Sequence, residues 1–591
     1  MLWSVSPANL PERESIDPVI NNFFIFTERC FPILHRPTFV AVIDELYSMD
    51  TIGTDSFEML AQFYLALAIG HSFSHELTRE ERTSKQIEAL QTGCRCHYAT
   101  LHMRRDGLTR LQTLSLHSYA LITLRQRSEA LRLSAMANIK ALECGLHHDG
   151  NRYTGNPLET EMRRRIFWCT FMLHLFSSSL AGIPRALHEA DITIAEPNDV
   201  DDDKLTSTGV SESLPGESKI HRFISVCRLA RILSRVLDVL YTTKRRKQAS
   251  TKIEQMNRLC CDHLLESLDF SANEVPEDVP DPNAEGVEDL AIMASYANEQ
   301  MLFHYVRWLI HRPGLSLPHQ QVSFGSCLQT ATEAASSMLK LADTYQRVVP
   351  YIRLNPAAHP MTLFIASLTP LYRTALHKSQ PHVTNTRDYN NDEDEEAIQH
   401  GLNTLRFCAW DRADTLRISM LEQLVEKWFR HKHGRRKFSR PGLPTWKPHT
   451  LTTRSQTARA NAKSRKLNTY QPAAATSTPQ PQSQSTQDQK PRLNSNYSQQ
   501  SQQSQQSQHS RQSESQQPTF APSRSSNSNS TPGTVQSQGT EGSRIPPHHM
   551  EFHHQQVDAL TAQEDLRNFV HEAFSPGADP YADASAHFSF Q

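Results

Sequence analysis

Glycine is scarce in this chain, 20 among 591 residues, and several of those fall in Gln/Ser-rich stretches. Little material remains for the loops that cradle phosphates. No P-loop, nucleophile elbow, dinucleotide fingerprint, HExxH pair or EF-hand loop occurs, so no reaction class can be named from motifs and an enzyme is not expected. Cysteines are equally sparse, at positions 30, 94, 96, 144, 169, 227, 260, 261, 327 and 408, mostly within apolar runs. They read as buried, reduced thiols of an intracellular protein. Long apolar runs are missing as well: Ile166 to Phe176 is the longest, well short of the roughly 20 residues that cross a bilayer. Met1 to Pro18 carries only a short apolar piece before Glu12, Arg13 and Glu14, a poor secretory signal. With 61 Lys plus Arg against 63 Asp plus Glu, no global charge draws the chain to nucleic acid or membrane. A soluble, non-secreted protein without a membrane partner is expected.

What is present divides the chain in two. Up to about residue 430, apolar residues recur at helical spacing in runs too long for strands, as at Leu229, Ile232, Leu233, Val236, Leu237 and Leu240. Such runs cover Phe57–Phe73, Gln112–Ile139, Glu159–Leu180, Ile220–Tyr241, Ile253–Leu268, Asp289–His311, Thr330–Val349, Leu363–Leu376 and Ala397–Phe429. Strand-like alternation is short and rare, with Ile192–Ala195 the best instance. The pattern predicts an all-α fold: one large irregular helical domain over 1–430, with loops near 186–218, 272–288 and 379–396. From about 467 to 550 the composition collapses into Gln, Ser, Asn, Thr and Pro. That cannot bury enough surface to offset chain entropy, so a disordered segment is expected there.

Charge is unevenly placed. Asp199, Asp201, Asp202 and Asp203 cluster in the first loop, Glu274, Glu277, Asp278 and Asp281 sit among prolines in the second, and Asp392–Glu396 form an acidic run in the third. These read as solvated, self-repelling connectors. The stretch Lys427–Lys466 holds 13 Lys or Arg and no Asp or Glu, and includes Lys432, Arg435, Arg436 and Lys437. A shorter cluster is Lys244, Arg245, Arg246 and Lys247. Both are candidates for nuclear import or phosphate contact, set against the plainer reading of a solvated helix end and charged tail.

Among metal-type residues, Cys94, Cys96, His97 and nearby His102 form the tightest group. A C-x-C-H start on a helix spreads its side chains over different faces, and no second pair accompanies it, so packing is the preferred reading over zinc. His548, His549, His553 and His554 read as a polar tract.

Three stretches carry a resemblance. Asn22–Phe39 reads NFFIFTERCFPILHRPTF, Glu161–Pro197 reads EMRRRIFWCTFMLHLFSSSLAGIPRALHEADITIAEP, and Tyr305–Leu315 reads YVRWLIHRPGL. In order and spacing they resemble the middle homology, or regulatory, domain of the fungal-specific zinc-cluster (Zn2Cys6) transcription factors of xylanolytic-activator type. The resemblance places Phe31, Pro32, His35, Arg36 and Pro37 in the opening FP-x-LH-x-P element and Arg163, Arg164, Arg165, Phe167 and Trp168 in the RRR-x-FW helix. It places Gly182 and Pro184 in the following turn, Asp191 and Pro197 in the acidic strand-like segment, and Arg312 and Pro313 in the third motif. These residues hold a scaffold or line an effector pocket, the scaffold being the preferred reading. An Asp-Arg pair common in the family after the tryptophan is replaced by His174 and Leu175.

The resemblance implies a nuclear regulator of RNA polymerase II transcription, with DNA, the transcription machinery or co-activators, a homo- or hetero-dimer partner and a small-molecule effector as its partners. The family's DNA reader is a six-cysteine, two-zinc module. No such array precedes Asn22, so this chain is expected to hold no zinc itself. Either the reader is encoded upstream of Met1, or the protein is a helical adaptor that pairs with complete relatives. Finally, Leu560, Leu566, Phe569, Val570 and Phe574 alternate with acidic residues over 551–591. That is the composition of an amphipathic activation segment, or of a terminal helix docked on its own domain.

Overall fold

The helical periodicity of the first 430 residues is realised as fourteen α-helices in the computed structural model, with no β-strand among the described residues. These residues are 10–100, 107–149, 155–211, 216, 218–241, 251–268, 275–319, 321–379 and 391–429. The basic stretch beyond Phe429, the Gln/Ser-rich segment and the C-terminal tail lie outside them. The first six helices are α1 (Arg13–Cys30), α2 (Arg36–Ser48), α3 (Phe57–Ser72), α4 (Arg79–Thr100), α5 (Leu108–Thr123) and α6 (Arg127–Glu143). Then come α7 (Pro157–Ala181), α8 (His221–Leu240), α9 (Thr251–Glu266) and α10 (Val287–His311). The last four are α11 (Val322–Thr344), α12 (Pro360–Ser379), α13 (Asn391–Cys408) and α14 (Arg412–Phe429). A continuous apolar interior runs from Leu10 to Phe429, with Trp168, Trp308 and Phe324 among its largest buried side chains. No described helix is long and apolar enough to cross a membrane.

Two runs expected as single helices are each broken in two. The run Gln112–Ile139 stops at Thr123, where Gln126 N–H bonds the Leu121 carbonyl (2.8 Å) and Arg125 N–H the Ile122 carbonyl (2.9 Å). This is the Schellman ending, whose left-handed position normally takes glycine. Here Arg125 occupies it, with φ 60°, the sole non-glycine at positive φ among the described residues. The run Ala397–Phe429 breaks at Ala409–Asp411. There Asp411 caps α14 by accepting the Asp414 N–H (2.8 Å), and Asp414 accepts the Trp410 N–H (3.0 Å). In neither break does glycine or proline mark the stop.

Of the three acidic groups, the third departs from the expectation and the first does so at Asp202, which is buried, whereas Glu277, Asp278 and Asp281 of the second are exposed. Asp392, Glu393 and Asp394 lie in the first turn of α13 rather than in a loop, where the helix dipole favours negative charge. Asp394 is fully buried, holding Arg373 in a fork at 2.6 and 3.1 Å and the Thr374 hydroxyl at 3.0 Å. Asp278 forks onto Arg222 at 2.6–2.7 Å. Ile192–Ala195 is extended but joins no sheet: Thr193 and Ile194 both donate to the His147 carbonyl.

Candidate functional site

Two of the three signature stretches meet on one buried guanidinium. The first turn of α7 is set by Asn156, whose side chain accepts the Glu159 N–H at 2.8 Å, with Pro157 at the first helical position. Two turns on, Arg165 points inward and is fully buried. Its Nε donates to Glu161 Oε1 at 3.0 Å, Nη1 to Asp202 Oδ1 at 2.5 Å and Nη2 to the Val200 carbonyl at 2.6 Å. Glu161 also accepts the Asn198 N–H at 3.1 Å. Asp202 Oδ2 accepts the Arg36 N–H at 2.8 Å, so this loop carboxylate satisfies an otherwise orphaned donor at the N-terminus of α2. The Asp202 carbonyl takes His35 Nε2 at 2.9 Å. A carbonyl only accepts, so the His35 proton is on Nε2, and Nδ1 accepts from the Thr38 hydroxyl at 2.8 Å. The aspartates expected as a solvated connector thus include the residue on which the junction turns.

The charge state follows from this geometry. Burial by itself lowers the Arg165 pKa, but Asp202 and Glu161 together outweigh it and hold the guanidinium above its ordinary value. Buried charges cost several kcal/mol each unless paired and fully hydrogen-bonded, and here one arginine joins a helix, a loop and the start of a second helix. Because Arg165 is 0% exposed, a ligand cannot reach it while the junction is closed. The arrangement positions helices.

The remaining motif residues surround this junction or lie apart from it. Trp168 donates to the Ala195 carbonyl at 3.0 Å, and Phe167 meets its ring edge-on at 5.5 Å. Phe31 packs on Tyr119 at 5.2 Å, Pro32 is buried and Pro37 sits in the first turn of α2. Arg163 donates to the Cys144 carbonyl at 3.2 Å and Arg164 to Asn198 Oδ1 at 3.3 Å. Gly182 ends α7 at φ 65°, Pro184 and Asp191 are exposed, and Pro197 is buried. The third motif is elsewhere in the core: the Arg312 guanidinium lies 5.1 Å from the Trp308 ring, burial lowers its pKa, and Pro313 is buried. In place of the family's Asp-Arg pair, His174 accepts the Ala186 N–H at 3.2 Å through Nε2 and meets Ser134 through Nδ1. Burial, with Arg185 nearby, lowers its pKa to about 4.

Of the Cys/His group, Cys94, Cys96 and His97 lie on α4, while His102 falls outside the described residues. Cys94 Sγ lies 2.9 Å from His117 Nε2, while the opposite nitrogen of that ring, Nδ1, faces His97 Nδ1 at 2.9 Å. Cys94 and His97 therefore address different edges of His117 and do not converge on one point. No group of three or more His, Cys, Asp or Glu among the described residues is arranged to hold a metal. Lys244–Lys247, the basic residues Lys432, Arg435, Arg436 and Lys437, and Leu560, Leu566, Phe569, Val570 and Phe574 lie outside the described residues. Sequence reasoning missed an arginine-lined cavity, because its residues come from four separate segments and no spacing rule connects them.

Fold and junction together define an all-α domain in which Arg165, Arg36 and His35 meet through Asp202. Residues 20–271 match the fungal specific transcription factor domain. The match takes in the first two signature stretches and ends before Tyr305–Leu315. The chain is 27% identical over 355 residues to the transcriptional activator protein acu-15 of Neurospora crassa, covering 58% of this chain and 35% of that protein. It is 28% identical over 244 residues to an ABC-transporter-regulating transcription factor of Aspergillus fumigatus, covering 41% and 27%. To activator of stress genes 1 of Saccharomyces cerevisiae it is 24% identical over 311 residues, covering 48% and 30%. The chain thus spans about a third of the length of these relatives. No solved structure matches it.

Proposed function

We propose that the protein regulates RNA polymerase II transcription in the fungal nucleus. In this reading the helical body senses or restrains, and residues 551–591 recruit the transcription machinery or a co-activator. The observation that carries the reading is the regulatory-domain match over 20–271, whose motif residues build the Arg165 junction. A body of helices joined through a few buried charge pairs suits a switch in which effector or partner binding favours one arrangement. The basic residues Lys244–Lys247 and Lys432–Lys437 serve nuclear import, and the chain carries no zinc of its own. Fusing residues 551–591 to a heterologous DNA-binding module is expected to raise reporter output; an unchanged reporter removes the activation segment. Import is checked separately, by the loss of nuclear accumulation when Lys432, Arg435, Arg436 and Lys437 are changed together to Gln.

Sequence-selective DNA readout in this class requires a metal-ordered helix in the major groove, whereas a basic stretch alone contacts phosphates and positions. The alternative reading is a helical adaptor that does not bind DNA itself and pairs with complete zinc-cluster relatives. Tight, sequence-selective mobility shifts by the chain alone, surviving chelator, would overturn that part.

A further inference from the structure

A cavity of about 250 Å³ opens where the start of α4, the α5–α6 turn, the segment 347–360 and the α13–α14 turn come together. Arg79, Arg82, Arg125, Arg127, Arg347 and Arg353 all line it, and no Asp or Glu does. Three of these guanidiniums crowd one indole: their central carbons lie 4.0 Å (Arg79), 5.4 Å (Arg125) and 5.7 Å (Arg353) from the Trp410 ring centre. A single ring attracts cations but cannot neutralise three of them. The nearby carboxylate is Asp414, already held by Arg125 at 2.7 Å, Arg417 at 2.8 Å and the Trp410 N–H at 3.0 Å. Two further observations indicate that the crowding is built in. Arg125 takes the left-handed position of its turn at φ 60°, and strained backbone of this kind gathers at ligand sites. His359, 7% exposed, lines the same cavity: its Nδ1 accepts the Met361 N–H at 3.0 Å, so Nε2 carries the proton, and that buried donor has no partner. Burial, reinforced by Arg125 and the neighbouring Arg79 and Arg82, lowers the Arg353 pKa to about 9. Folding therefore gathers these cations against their own repulsion.

We propose that this cavity binds a small organic anion carrying two or more carboxylate or phosphate groups, with the arginines forking onto its charges and the His359 Nε2–H donating to it. Guanidinium forks match both groups bidentately. The volume, just below the about 300–1,000 Å³ of drug-sized sites, selects a compact metabolite. The ligand ties the family-matched helices to α13 and α14, which lie beyond residue 271, and so stabilises one arrangement of the body. This deepens the effector part of the reading above, and its binding test does not depend on residues 551–591.

The test is calorimetric titration of the full 591-residue protein with citrate, with 3-phosphoglycerate and with inorganic phosphate at constant ionic strength. At least one organic polyanion is expected to bind tenfold or more tightly than inorganic phosphate; whether citrate or 3-phosphoglycerate does so separates the carboxylate from the phosphate source. Arg353→Gln is expected to raise the melting temperature of the free protein, since repulsion is relieved, and to weaken the polyanion at least tenfold. A residue of purely structural importance would lower the melting temperature and leave affinity alone. Arg82→Gln and Arg347→Gln, read by affinity after circular dichroism has verified folding, keep the test decisive if Arg353→Gln does not fold. Equal binding of all three anions, or wild-type affinity in these variants, overturns the site. Failure of the reporter fusion with polyanion binding intact would instead remove the activation segment alone.

Discussion

Arg165 shows how much one residue can decide. Its motif position was legible, because a basic trio before an aromatic pair stands out in an apolar helix; its partners were not, because Asp202 lies 37 positions away in a loop that reads as solvated. Arg165→Met leaves Glu161 and Asp202 buried without their cation and is expected to cost about 3–5 kcal/mol, read as a lower urea midpoint. Gly314 makes the opposite kind of point. A Cβ there would stand 2.5 Å from Cys327 Sγ, so Gly314→Ala is expected to cost about 1–3 kcal/mol by overpacking. The loss is read as a lower urea midpoint; an unchanged midpoint would refute the close approach to Cys327 Sγ and Cβ.

At the scale of the helix, the lesson is about stops. Long amphipathic runs foretold most elements, because 3.6-residue spacing reports a buried face directly. The break at Arg125 was missed because its side chain is rewarded across the fold, by Asp414 and the Cys408 carbonyl (2.9 Å); the break at Asp411 is capped locally, by the Asp414 N–H three residues on, with no glycine or proline to announce it. Comparing Arg125→Ala with Arg125→Gly isolates the backbone term, since both lose the guanidinium. The glycine variant should be the more stable by about 1–2 kcal/mol, the cost of the left-handed conformation for a residue with Cβ; equal stability would refute the strain. At the other kind of terminus, Asn156→Ala removes the cap of the helix that carries Arg165 and is expected to cost about 1 kcal/mol in a denaturant melt.

The molecule as a whole buries neutral histidines. Burial lowers the pKa of His97 to about 3 and those of His117, His174 and His304 to about 4, with a neighbouring cation or imidazole adding to the shift for His97, His174 and His304. An unfolded histidine titrates near 6.5, so below that pH the unfolded chain binds more protons and stability falls as the medium is acidified. Three buried carboxyls oppose this: Glu299 is raised to about 7, and Glu28 and Glu161 are raised too, all chiefly by burial. His71, lowered by burial to about 4, and the buried His359, also lowered, add to the histidine side, so the histidines outnumber these carboxyls and stability is expected to fall as the pH drops from 7 to 5. Urea midpoints at pH 7, 6 and 5 check the sign; a midpoint that rises on acidification would contradict it.

The amino-acid order alone determined that this chain builds helices, that three stretches resemble a fungal regulatory domain, the first two of them inside the matched residues 20–271, and that its tail has the composition of a disordered segment. These properties are local: periodicity, motif and composition are read within a few turns of chain. Which charges are buried, where α5 ends without glycine or proline, and how arginines from four segments come to line one cavity were decided by tertiary structure. Those outcomes depend on side chains tens to hundreds of positions apart sharing one desolvated space, where the energy of a charge is set by its neighbours.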